Sequence, residues 1–153
     1  MDLNFILEKL KSYCAYQERC TKDIIEKLHS LNVPPQLYEE ILNYLKEYDF
    51  VNDERFLHSY IHGKVNLKRW GPQKIIWQLQ KKGFSKSDIQ TFLNEINRET
   101  LKVNALNLAQ QKLNNKKLSY ENKGKIYRYL YNKGYYPEMI YEIIGELENI
   151  TRT

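Results

Sequence analysis

Few residue groupings in this 153-residue chain have both the types and the spacing for chemistry. His58 and His62 stand at i, i+4, which puts two imidazoles on one face of a helix within reach of a metal. The run between them is HSYIH, without the glutamate that a helical zinc peptidase places after its first histidine. The pair is expected to be surface or half-buried, with no metal. Asp49 and Asp53 share the same spacing, but they flank a turn, where aspartate most often caps a helix. Cys14 and Cys20 fit no metal or redox spacing. Lys125 follows Gly124 without the rest of a G-x-x-x-x-G-K-[ST] phosphate cradle. No catalytic residue, cofactor or enzymatic activity is predicted.

What remains is electrostatic. Residues 1–54 hold 6 Lys or Arg against 11 Asp or Glu, whereas residues 55–133 hold 17 against 4. Solubility does not require charge to be segregated in this way. A sustained cationic stretch points to a polyanion or an acidic protein face. The candidate binding residues are Lys68, Arg69, Lys74, Trp77, Lys81 and Lys82, continued by Lys125 and Arg128. Trp77 and Tyr129 are expected to be exposed on this face. The other tyrosines, of 13 in all, are expected to pack at core edges.

The element that carries most of these residues runs from Trp70 to Phe84. Gly71 can serve as N-cap, and Pro72 suits the first helical position, where a missing N–H costs nothing. Ile75, Ile76 and Leu79 form an apolar stripe at helical period, and Gly83 supplies a left-handed stop. A shift of 51 residues reproduces the pattern. Ile75, Leu79, Gly83 and Phe84 map onto Ile126, Leu130, Gly134 and Tyr135, and back onto Ile24, Leu28, Asn32 and Val33. The next helix repeats in register, as Tyr38, Leu42, Leu45; Ile89, Leu93, Ile96; and Ile140, Ile144, Leu147. On the middle helix, Lys74, Trp77, Gln78 and Lys81 share the face that escapes this apolar repeat. Their first-copy counterparts include Asp23 and Glu26.

The fold is therefore read as all-α. Three tandem three-helix repeats, over 1–52 (acidic), 53–98 (basic) and 99–153 (basic), are expected to stack into an elongated, curved molecule. Helices are expected over Leu3–Tyr16, from a Thr21 cap to Leu31, from Pro34-Pro35 to about Tyr48, from near Asp53, from a Ser85-x-x-Asp88 capping box, from about Leu101, from about Ser119–Asn122, and from Pro137. No apolar run approaches the roughly 20 residues that cross a membrane. With no signal peptide in the N-terminal stretch, a cytoplasmic location and no membrane partner are expected.

The run from Tyr48 to Phe56, YDFVNDERF, resembles the G-Y-[IL]-D/N-D-x-x-F-A signature of the RecX family of bacterial regulatory proteins. Lys68-Arg69 before Gly71, Ile75-x-x-x-Leu79, Lys82-Gly83-Phe84 and Lys133-Gly134-Tyr135 resemble that family too, as do Arg19 and the Ile24/Leu28 helix. The chain departs from the pattern at Leu57, where the family has Ala, and at Asn32 and Tyr135, where it has Gly and Phe. The resemblance implies a fold of three-helix repeats. It also implies RecA as partner, with the protein lodged along the groove of the RecA–DNA filament and restraining recombinase activity in DNA repair, recombination and the SOS response. DNA contact is expected through the second and third repeats, and the protein is expected to be a monomer. The alternative from the residues alone is a stand-alone helical nucleic-acid-binding module; a third reading is a helical scaffold that binds only protein.

Overall fold

The helix expected after Trp70 runs from Pro72 to Lys81, with Gly71 as its N-cap and proline in its first turn. This computed structural model describes residues 2–152. Among them are nine α-helices, one 3-10 turn at Pro35–Leu37, and no strand. In chain order the helices are α1 (Leu3–Tyr16), α2 (Thr21–Ser30), α3 (Tyr38–Glu47), α4 (Asp53–Asn66), α5 (Pro72–Lys81), α6 (Lys86–Leu93), α7 (Arg98–Leu113), α8 (Tyr120–Asn132) and α9 (Pro137–Arg152). The fold is an all-helical repeat architecture, as the sequence period requires. Packing divides it into two compact units, Met1–Tyr60 and Ile61–Thr153.

On the first helix of the pattern the repeated apolar positions are buried, whereas on the next helix Leu45, Ile89, Leu93, Ile140 and Leu147 are buried and Tyr38, Leu42, Ile96 and Ile144 only half-buried. Ile24, Leu28, Ile75, Leu79, Ile126 and Leu130 are all essentially without solvent contact. Each buried Leu or Ile side chain contributes about 1.5–3 kcal/mol. The three equivalent turns all use a left-handed residue, with φ of 59° at Asn32, 92° at Gly83 and 102° at Gly134. In each, the next residue's N–H reaches back to the helix: Val33 to Leu28, Phe84 to Leu79 and Tyr135 to Leu130. This satisfies a carbonyl that the helix end would otherwise leave unpaired.

Within the first unit, α1, α2 and α3 enclose Ile6, Leu10, Ile24, Leu28, Val33, Ile41, Leu45 and Val51. The sequence expectation is corrected at the start of α2. Cys20, not Thr21, is the N-cap, and its N–H donates to the Asp23 carboxylate at 3.1 Å. Thr21 is the first helical residue, and its N–H (2.9 Å) and hydroxyl (2.8 Å) both donate to Asp53. Asp53 does cap a helix, but that helix is α2, and Asn52 caps its own α4 by accepting from the Arg55 N–H. Asp49 lies in the left-handed region and pairs with Arg55 at 3.0 Å. Arg55 also donates to Glu18 at 2.7 Å, and Val51 and Phe56 are buried. The YDFVNDERF run is thus a structural knot: every polar residue from Asn52 to Arg55 except Glu54 holds a helix end or a turn.

Within the second unit, α5 packs on α6, and α7, α8 and α9 pack pairwise on one another. Ala105, Leu108, Ile126, Leu130, Tyr135, Ile140, Ile143 and Leu147 form the core of that last triplet. At Ser85 half of the expected capping box forms: its hydroxyl accepts from the Asp88 N–H, while the return bond from the Asp88 carboxylate to the Ser85 N–H is not made. Ser119, at the expected start of α8, likewise accepts from the Asn122 N–H. Helix α7 starts at Arg98, slightly before the expected Leu101, because Asn97 caps it.

The start of α5 has no side-chain cap. Its N–H groups are instead satisfied by the turn after α8, with Gly71 N–H donating to the Lys133 carbonyl (2.8 Å) and Gln73 N–H to that of Gly134 (2.9 Å). The positive end of one helix thereby meets the carbonyl-rich end of another. The buried Tyr135 hydroxyl donates to the Arg69 carbonyl at 2.7 Å and closes the joint.

Candidate polyanion interface

The cationic stretch runs through α4 to α8. Its densest part forms around Trp70, a residue absent from the expected set. Leu67 N–H continues the last turn of α4 by donating to Gly63, and Trp70 N–H then folds back to the Lys64 carbonyl. Arg69 adopts φ of 55° to make that return, an uncommon conformation for a long side chain. Trp70 is left half-buried, with the Lys64 ammonium 4.7 Å and the Lys74 ammonium 4.5 Å from its ring centre. Each is a cation–π attraction that holds a lysine in place.

Lys64 registers its neighbours. Partial burial lowers its pKa first, and the fields of Lys68, Lys74 and Lys82 lower it further. Four ammonium groups therefore share one region of the surface. Bringing them together costs repulsion, which an arriving anion relieves. Lys64 was legible only as one more lysine, because it lies on α4 while its partners lie on the following loop and on α5. Lys68 is exposed and Arg69 half-exposed; Lys74 is half-exposed, and its Cβ lies against Gly134. One turn along α5, Trp77 is 56% exposed, and the Lys81 ammonium sits 3.4 Å from its ring centre. Lys82 is half-exposed.

Lys125 and Arg128 belong to α8. Lys125 pairs with Glu121 at 3.4 Å and lines a small cleft with Lys112 and Lys116. Arg128 is exposed, and its guanidinium folds back toward Gly124. The expectation for Tyr129 is corrected: the ring is half-buried and packs on the α7–α9 core, flanked by Lys112 (5.2 Å) and Lys133 (5.7 Å). The expectation that most other tyrosines pack at core edges is corrected too. Tyr16, Tyr48, Tyr120, Tyr131, Tyr136 and Tyr141 are all exposed, whereas Tyr13, Tyr38, Tyr44, Tyr60 and Tyr127 are half-buried and Tyr135 is buried.

His58 is exposed and His62 half-buried, the latter 3.9 Å from Glu95. No described helix is long and apolar enough to cross a membrane.

Comparison with known proteins extends this picture. Two family models match, "RecX, second three-helix domain" over residues 52–93 and "RecX, third three-helix domain" over residues 103–144. The Regulatory protein RecX of Clostridium botulinum is 34% identical over 132 residues, covering 84% of this chain and 61% of that protein. The Clostridioides difficile protein of the same name is 28% identical over 92% of this chain and 67% of its own length. The chain thus spans about three fifths of the length of the first of these relatives. The crystal structure of RecX from Lactobacillus salivarius superposes with a TM-score of 0.80 at 28% identity, over 95% of this chain and 99% of that one.

Proposed function

Because this chain belongs to the RecX family of regulatory proteins, we propose that it binds RecA on DNA and restrains recombinase activity in cytoplasmic DNA repair and recombination, including the SOS response. One observation carries the choice of surface. Lys64 and Lys74 both lie over the Trp70 ring, and the charges of Lys68 and Lys82 act on Lys64 as well, so like charges repel there until an anion arrives. The surface made by Lys64, Lys68, Arg69, Trp70, Lys74, Trp77, Lys81 and Lys82 meets the phosphates of the filament. Lys125 and Arg128 form a second, weaker contact through the basic third repeat. The acidic first repeat, residues 1–52, takes no part in holding phosphate. The protein acts as a monomer and performs no catalysis.

The same cluster also favours a second reading, a stand-alone module that binds nucleic acid without RecA. Assays of RecA ATPase and strand exchange separate the two. The first reading requires an effect at protein levels below those of RecA. The second requires strong, salt-sensitive binding to naked DNA and no specific effect on RecA.

A further inference from the structure

The first unit carries a second cationic group, set in an otherwise acidic segment. Of the 6 Lys or Arg residues within 1–54, three (Lys9, Arg19 and Lys27) line one open groove between α1 and α2. None of the three has a carboxylate partner among the described residues. The one acidic residue on the groove, Glu8, is paired with Lys11 at 3.2 Å. Each cation lies over an aromatic ring instead: Lys9 over Phe5 at 5.0 Å, Arg19 over Tyr13 at 3.6 Å, and Lys27 over Tyr13 at 5.1 Å.

Arg19 is preset for recognition. Its Nε donates to the Tyr13 carbonyl at 2.9 Å, and its plane rests on the Tyr13 ring, so the guanidinium loses little freedom on binding. Its two terminal nitrogens make no hydrogen bond among the described residues, which leaves the fork that suits a carboxylate. Phe5 and Tyr16, 58% and 83% exposed, supply apolar surface on the same groove. The groove encloses about 520 Å³, room for a few side chains.

We propose that this groove docks an acidic, extended peptide segment of a protein partner, with its carboxylates on Arg19, Lys9 and Lys27 and one apolar side chain against Phe5 and Tyr16. Charge complementarity decides the occupant. The segment as a whole is acidic, with 6 Lys or Arg against 11 Asp or Glu over residues 1–54, and Glu8 stands on the groove itself, which disfavours a long polyanion such as nucleic acid. A short peptide can reach the three cations within the groove without extending over the rest of the acidic segment.

The test uses the full chain and a short fluorescein-labelled Glu-rich peptide with a central Leu, read by fluorescence anisotropy in the absence of RecA and DNA. The expected result is saturable binding, weakened about tenfold or more by Lys9→Glu/Lys27→Glu and by Arg19→Gln. Tyr16→Ala, which removes an exposed ring, should weaken it without altering the helical circular dichroism. Lys68→Glu/Lys81→Glu should leave it unchanged, which separates this groove from the surface around Trp70. Absence of saturable binding, equal binding to a Lys-rich control peptide, or loss of binding only in Lys68→Glu/Lys81→Glu would overturn the proposal. So would a single-stranded oligonucleotide that displaces the peptide from the parent chain and from Lys68→Glu/Lys81→Glu equally well. Because RecA is absent from every arm, each result is independent of whether the chain regulates RecA.

Discussion

Gly71 and Gly134 meet backbone to backbone. The Gly71 N–H donates to the carbonyl just before Gly134, and a Cβ built on either residue collides with main chain of the other segment. At Gly71 the constraint is space alone, since its backbone (φ −83°, ψ 168°) suits any residue. At Gly134 space and a φ of 102° act together. Gly83, its counterpart one repeat earlier, has the unusual φ but open space where a Cβ would go.

These glycines should consequently differ. Gly71→Ala is expected to cost about 3 kcal/mol, as overpacking does. Gly83→Ala should cost about 1 kcal/mol, the strain of a left-handed residue in open space. Gly145, within α9 and with nothing near its Cβ position, should gain up to about 1 kcal/mol on substitution by Ala. Denaturant midpoints of the three variants provide the ranking, and a Gly71→Ala protein as stable as Gly83→Ala would show that the joint does not form.

Leu79→Ala should remove about 2–5 kcal/mol, since the side chain is fully buried on the apolar stripe of α5. Unchanged thermal stability would mean that the repeat positions are not the core.

Tyr135 gives a pH signature. Burial, the largest cause, pushes its hydroxyl pKa well above the ordinary phenol range, so the folded protein favours the neutral form. Its contribution is fully present below the unfolded value of about 10 and is lost as pH rises beyond it. Tyr135→Phe should be less stable than the parent at neutral pH, by about 1 kcal/mol for the hydrogen bond to Arg69. The gap between the two should narrow above about pH 10 in thermal unfolding. A gap that stays constant to high pH would place the hydroxyl in water.

On the surface, Lys68→Glu/Lys81→Glu should leave stability within about 0.5 kcal/mol, because both residues are exposed. Lys74→Glu is a poorer probe, as it also removes the ammonium from the Trp70 ring and disturbs the packing against Gly134. If the surface meets phosphate, the double reversal should reduce the slope of log K against log salt by about one for each phosphate no longer neutralised. Trp77→Ala should weaken binding with little change of slope, since an aromatic ring displaces no counterions.

The helices and their buried stripe were legible because their signals are local. Ile75 and Leu79 advertise a face, Pro72 a start, and Gly83 a stop, all within one short stretch. Long-range partners were not. Asp53 reads as a cap for the helix it begins, yet it serves α2, because the distance from Thr21 is set by tertiary packing. Gly71 reads as an ordinary N-cap, with no sign that Lys133 and Gly134 supply the acceptors. The Trp70 cluster was hidden for the same reason, since Lys64 and Lys74 lie on different helices and reach one ring only after the loop between them folds back. Helical period alone likewise assigned Tyr129 to the outer face, while its ring leans into the core of α7, α8 and α9.

The most direct measurement is the rate of ATP hydrolysis by RecA on single-stranded DNA, titrated with the parent chain and with Lys68→Glu/Lys81→Glu at physiological salt. The parent is expected to lower the rate at amounts well below those of RecA. The doubly reversed variant, equally folded, should need about tenfold more to do the same. A parent chain without effect at any ratio would contradict regulation of RecA, and a variant as potent as the parent would show that the cationic surface around Trp70 is merely solvated.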